Sequence, residues 1–269
     1  RAQPWRVGIG VVLAGAVWLP AVALALSLAR TAGLAPDQGA VVAFLLTFGV
    51  LPVVLGHVMR RLHHLPGARL LGPEERLEGA GVLRGILFVA VIAGILTLPA
   101  FGTGMLQRQH PVGAWLLWLP AALPAVFLQA AAEEIVFRGY LQTMLAARFA
   151  SRWIWWFIPA LLFGLLHWNP ALGGSAWLMV AAALLMGLVF GDIAARTGGL
   201  ALPVGLHFAN NAFALLVVAT PSPLSGLALF LSPVDMDDPA AMRAALIGNI
   251  LLIAALWGIY LLVVRLRRR

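Results

Sequence analysis

The sequence predicts an all-α, polytopic membrane protein of about eight transmembrane helices with a catalytic site within the helix bundle. Three observations predict it. The 269 residues are 62% hydrophobic and only 10% charged, with a mean hydropathy of +0.96; a soluble domain carries roughly 25% charged residues. Apolar segments of spanning length recur along the whole chain. The arginines fall between these segments in a one-sided pattern.

Taken in order, the apolar segments are 7–29, 40–59, 82–103, 112–147, 153–169, 175–195, 200–219 and 245–264. The first three and the last read as plain spans of about 20 residues. The fourth is too long for one simple crossing and tilts or projects beyond the membrane. The loop 66–84 mixes charge signs and reads as solvated. PSPLSGLALFLSP (221–233) is too short to span and is bracketed by proline, so a re-entrant or interfacial piece is expected. No repeat suggests two inverted halves, and 1–269 reads as a single integral-membrane domain with its core over about 112–220.

All 18 basic residues are arginine. With the N-terminus inside, the inner segments hold Arg1, Arg6, Arg60, Arg61, Arg69, Arg76, Arg84, Arg148, Arg152, Arg196, Arg265, Arg267, Arg268 and Arg269, and the outer loops only Arg30, Arg108 and Arg243. Cytoplasmic loops are the arginine-rich ones, so both termini are expected in the cytoplasm. Asp235, Asp237 and Asp238 then fall outside. This placement explains the net charge of +8 without nucleic acid as a partner. The arginine-only, Ala/Leu/Gly/Pro-rich composition points to a prokaryotic plasma membrane. No cysteine is present, which removes thiolate nucleophiles and thiolate metal sites.

Few strongly polar residues lie at membrane depth: Glu133, Glu134, Arg138, His167, Asp192, His207, Asn210 and Asn211. Each costs at least about 2.5–3.5 kcal/mol to insert if charged, and needs a partner or a wet cavity. Glu134 and Arg138 are i,i+4 with the acid first, the better order for an ion pair. Glu133 lies about 100° away around the helix and is left for another use. Phe163 with His167, and His207 with Asn211, share helix faces. Asp192 with Arg196 reads as a structural pair.

At 1.5 Å per residue, Glu134 lies roughly 21 Å from Arg148 and His167 roughly 22 Å from Arg152. His207 enters its helix about 10–15 Å from the inner end. These groups are expected to meet in a cavity reached from the cytoplasm. A carboxylate beside an imidazole can take a proton from water, and a second imidazole with a carboxamide can stabilise an oxyanion. That inventory is a peptidase's. No HExxH zinc helix is present, Ser175 lies at the wrong end for His207, and Asp192 has no facing aspartate.

EEIVFR (133–138) resembles the EExxxR motif of the CAAX prenyl protease and bacteriocin-processing family of intramembrane peptidases. FGLLH (163–167) resembles its FxxxH motif, and HFANN (207–211) its third motif. The resemblance covers about 115–220. It implies Glu133 as the base that activates water, assisted by His167. It implies His207 and Asn211 as oxyanion stabilisers, supported by Glu134, Arg138 and Phe163. The family is described both as metalloprotease and as metal-free glutamate protease. Metal-free is favoured here because Asn211 is a poor zinc ligand; the alternative is zinc on Glu133, His167 and His207. The expected partners are the lipid bilayer and a peptide or lipidated protein substrate, CAAX-like or otherwise, cut from the cytoplasmic side. The other readings are a proton-coupled transporter, with the glutamates and histidines as a relay, and a non-catalytic scaffold.

Overall fold

The computed structural model describes residues 3–31, 38–234 and 238–266. Arg1, Arg267, Arg268, Arg269, Asp235 and Asp237 of the charge analysis lie outside them. The described chain is a bundle of eight helical rods: α1 (Pro4–Thr31), α2 (Gln38–His63), α3 (Gly79–Gly102), α4 (Val112–Ala146), α5 (Trp153–Leu165), α6 (Pro170–Thr197), α7 (Ala201–Val217) and α8 (Pro239–Leu266). All eight expected segments are helical, but only six reach spanning length; α5 and α7 are shorter.

The shortening of α5 has a local cause. Helical hydrogen bonding ends in a turn, with His167 N–H reaching Gly164 O at 3.0 Å. Pro170 then forces Asn169 into an extended conformation, φ −124° and ψ 109°. His167 therefore sits in the turn after α5, not inside a helix running to 169. The segment 221–233 forms a 3₁₀ turn at Ser225–Leu227 and a strand, β3 (Phe230–Leu231). It lies in a small sheet of order β1-β3-β2, with β1 (Gln107–Arg108) antiparallel and β2 (Val218–Ala219) parallel to β3.

α2, α4 and α7 form the centre, around Leu55, Val58, Tyr140 and Val204 on one side and Val41, Leu45, Val126 and Leu216 on the other. α8 buries none of its most apolar stretch and lies at the rim. Its Trp257 Nε1 donates to Asp192 Oδ2 on α6 at 3.3 Å. The large exposed side chains, such as Val12, Leu98 and Leu117, belong against lipid tails, where an apolar surface carries no penalty.

Two glycines hold the site-bearing helices close. A Cβ on Gly205 of α7 would collide with the Val82 carbonyl of α3, so only glycine allows this approach. A Cβ on Gly139 of α4 would strike the Leu70 carbonyl in the loop between α2 and α3. α4 does not break at Gly139; it widens into a π-helical stretch over Ile135–Gln142. The Thr143 hydroxyl follows this wider winding and donates to Arg138 O at 2.9 Å.

Candidate active site

Glu133, Glu134 and Arg138 project from the centre of α4, where the α-helix passes into the π-helical stretch. Such wide turns recur at functional positions because they re-aim side chains without ending the helix. Glu134 is 0% exposed and Arg138 3%. Arg138 Nη1 donates to Glu134 Oε1 at 2.9 Å, and its Nη2 donates to the Gly187 carbonyl of α6 at 3.3 Å. The guanidinium lies over the rings of Phe163 and Phe190 at 4.9 and 5.5 Å. A buried charge survives when paired, hydrogen-bonded and surrounded by polarisable faces, and Arg138 has all three.

His207 is 2% exposed and approaches from α7. Its Nδ1–H donates to Glu134 Oε1 at 2.8 Å, so one carboxylate oxygen receives both the arginine and the imidazole. That bond fixes the ring, and its other nitrogen, Nε2, stands 3.5 Å from Glu133 Oε2. Rings of Phe190 and Phe163 flank the imidazole at 5.6 and 6.0 Å. The side chain of Glu133 is 15% exposed, in contrast to its buried neighbour. Glu133 Oε2 and Glu134 Oε2 are buried and accept no hydrogen bond from the described residues.

Asn211, one turn beyond His207, donates from Nδ2 to Gln129 Oε1 at 2.9 Å. Its own Oδ1 accepts from Asn210 Nδ2 at 3.2 Å. Gln129 is buried on α4, one turn before Glu133. Sequence reasoning missed it, although its i,i+4 spacing from Glu133 within an apolar run was a readable signal. Phe190 was also missed, and nothing in its apolar context marks it. His167 is exposed; its ring packs on Phe163 at 4.6 Å and its Nδ1–H donates to the Phe163 carbonyl at 2.8 Å. Asp192 pairs with Arg196 at 2.7 Å and with Arg152 at 3.5 Å, joining helix ends away from the site.

The structure thus brings Glu133, Glu134, Arg138 and His207 together, with Phe163 between His207 and His167. It does not assemble the zinc alternative. No group of three His, Asp or Glu side chains among the described residues is placed to hold a metal ion, and His207 Nδ1 is committed to Glu134. The metalloprotease description therefore has no support from this donor set.

The exposed part of the site lies at an unexpected end. Arg138 and Glu134, towards the arginine-bearing end of α4, are sealed, whereas His167 and Asn210 are exposed. The turn carrying His167 stands at the opposite end of α5 from Arg152.

Residues 113–213 match the family model described as type II CAAX prenyl endopeptidase Rce1-like. This stretch runs from the start of α4 to Phe213 in α7 and holds all three motifs. The match covers a little over a third of the chain. The uncharacterized protein YyaK of Bacillus subtilis (strain 168) is similar to this chain, with 32% identity over 113 residues. That match covers 42% of this chain and 37% of YyaK, so the chain spans little more than a third of this relative. No solved structure matches the chain. The apolar helices make it an integral membrane protein, and the stretch matching the CAAX-type endopeptidase model lies within its helix bundle.

Proposed function

We propose that the protein is an intramembrane endopeptidase that hydrolyses a peptide bond of a membrane-associated peptide or lipidated protein, with Glu133 activating the water. The observation that carries this reading is the division of labour between two adjacent carboxylates. Glu134 is sealed and shared by Arg138 and His207, while Glu133 is partly exposed and faces His207 Nε2 at 3.5 Å. Glu133 takes a proton from water as the water oxygen bonds to the substrate carbonyl carbon. The carbonyl oxygen becomes an oxyanion, which the Asn211 carboxamide and the imidazolium form of His207 stabilise through N–H donors. The C–N bond then breaks, and Glu133 returns the proton to the leaving amine. Glu134 and Arg138 hold the imidazole in place. The family resemblance assigns His167 to assist Glu133; its ring packs on Phe163, which also lies against His207.

Purified protein in nanodiscs, incubated with a mixed peptide library and a farnesylated CAAX peptide and read by mass spectrometry, tests the proposal. Glu133→Ala is expected to abolish cleavage while circular dichroism and thermal unfolding stay unchanged. Full activity in that variant would overturn it. Cleavage that persists in a chelator is expected, since no step uses a metal.

A further inference from the structure

We propose that this site receives its substrate from the extracytoplasmic side of the membrane, as a peptide segment presented at the outer leaflet. The inference rests on the peptidase reading for what is bound, and on the distribution of charge and exposure for the side.

The arginines mark one end of the bundle. Arg6 Nη1 donates to Leu62 O at 2.8 Å, which places the start of α1 beside the end of α2 with Arg60 and Arg61. Arg152 at the start of α5 and Arg196 near the end of α6 share Asp192. Arg69, Arg76 and Arg84 lie in or next to the loop between α2 and α3. By the positive-inside rule, this end is cytoplasmic.

Between that end and the site the protein is filled. The Leu70 carbonyl presses on Gly139. Tyr140 is fully buried, with its hydroxyl 3.0 Å from His63 Nε2 and donating to Arg6 O at 3.3 Å. Gln142 Nε2 donates to Gly191 O at 2.8 Å. A cavity of about 200 Å³ at the arginine end is lined by Leu71, Arg76, Arg84 and residues 198–202, and by none of the site residues.

The other end is open and polar. α5 stops at Leu165, and His167, Trp168, Asn169 and Ala171 are exposed in the connection to α6. Trp168 and Trp177 are 50% and 63% exposed, the residue type that collects at a membrane–water boundary. His167 thus belongs to a turn at the outer interface and packs on Phe163, whose ring also lies against His207. From this end a peptide is separated from the partly exposed Glu133 by Phe163 and the exposed turn, whereas from the cytoplasm it meets the Leu70, Tyr140 and Gln142 packing.

The chain contains no cysteine, so single cysteines report the side directly. Ala171→Cys lies in the exposed turn, Glu74→Cys in the arginine-bearing loop, and neither residue belongs to the site. In intact cells a membrane-impermeant maleimide is expected to label Ala171→Cys and spare Glu74→Cys, with the pattern reversed in inverted vesicles. Labelling of Glu74→Cys alone from outside, or of neither until the cells are opened, would overturn the proposal. A membrane-impermeant peptide that the solubilised protein cleaves is then offered to vesicles of each orientation. Right-side-out vesicles are expected to cleave it without detergent and inverted vesicles only after detergent; the reverse would also overturn the proposal. If solubilised wild type and Glu133→Ala do not differ, the peptidase reading fails, while the labelling still decides which face the site opens to.

Discussion

Glu134 Oε1 receives an arginine and an imidazole at once, so each partner's loss strands the others. Arg138→Met would leave the Glu134 carboxylate buried without its cation. Removing one partner of a buried pair costs about 3–5 kcal/mol, so thermal unfolding in detergent should show a large loss of stability together with lost cleavage. Gln129 makes a subtler case. It holds Asn211 by one hydrogen bond, and Gln129→Leu should keep the fold but lower kcat by about 10- to 100-fold through misplacement of the carboxamide. Gln129→Glu, which retains the acceptor oxygen, should recover most of that loss, and a leucine variant with unchanged kcat would show Asn211 needs no such support. The sequence made Glu133, Glu134 and Arg138 readable because ionisable groups at membrane depth demand partners. Gln129 escaped because an uncharged amide in an apolar helix carries a weaker demand, and Phe190 because an apolar residue in an apolar helix carries none.

At the scale of elements, helix existence was legible from hydropathy, but helix ends and winding were not. The apolar run 153–169 reads as one span; the turn at His167 depends on Pro170 acting backwards on Asn169, which hydropathy does not register. The π-helical stretch over IVFRGYLQ likewise leaves no mark, since its residues suit an ordinary helix. It arises where α4 meets the Leu70 carbonyl on one face and α6 on another, through Gln142 and Arg138. The close approach of α7 to α3 has the same character. Gly205 lies two residues before His207, and its Cα faces Val82 with no room for a side chain. Gly205→Val should push α7 away and carry His207 with it, costing about 1–3 kcal/mol as overpacking does. Cleavage should fall further than that loss implies, because the distance from His207 Nε2 to Glu133 changes directly. A variant with lowered Tm but wild-type kcat/KM would show that α7 tolerates the shift without consequence for the site.

Over the whole molecule, the arginine distribution carries more information than any single span. It follows from the order of segments alone, and the fold gathers the same residues at one end through contacts the sequence does not display, Arg6 with Leu62 and Arg152 with Asp192. The short rods α5 and α7 matter here, because each runs from the arginine-bearing end towards the other and so keeps the parity of the chain although neither reaches spanning length. α8 then returns towards the arginine end, with Trp257 tied to Asp192 and Arg265 two turns further on. The depth reading set Glu134 and His167 at one level and left His207 to converge on them; the fold joins His207 to Glu134 at 2.8 Å, but depth along a helix says nothing about which end is filled. That depends on the loop 66–84 folding back onto α4, a tertiary event. Topology and access are therefore separable, and reporter fusions test the first alone. Green fluorescent protein fused after Arg269 should fluoresce and alkaline phosphatase at the same point should stay inactive, whereas phosphatase fused after Gly104, at the far end of α3, should be active. An active phosphatase at the C-terminus would invert the whole bundle, and with it the face to which the turn at Ala171 is assigned.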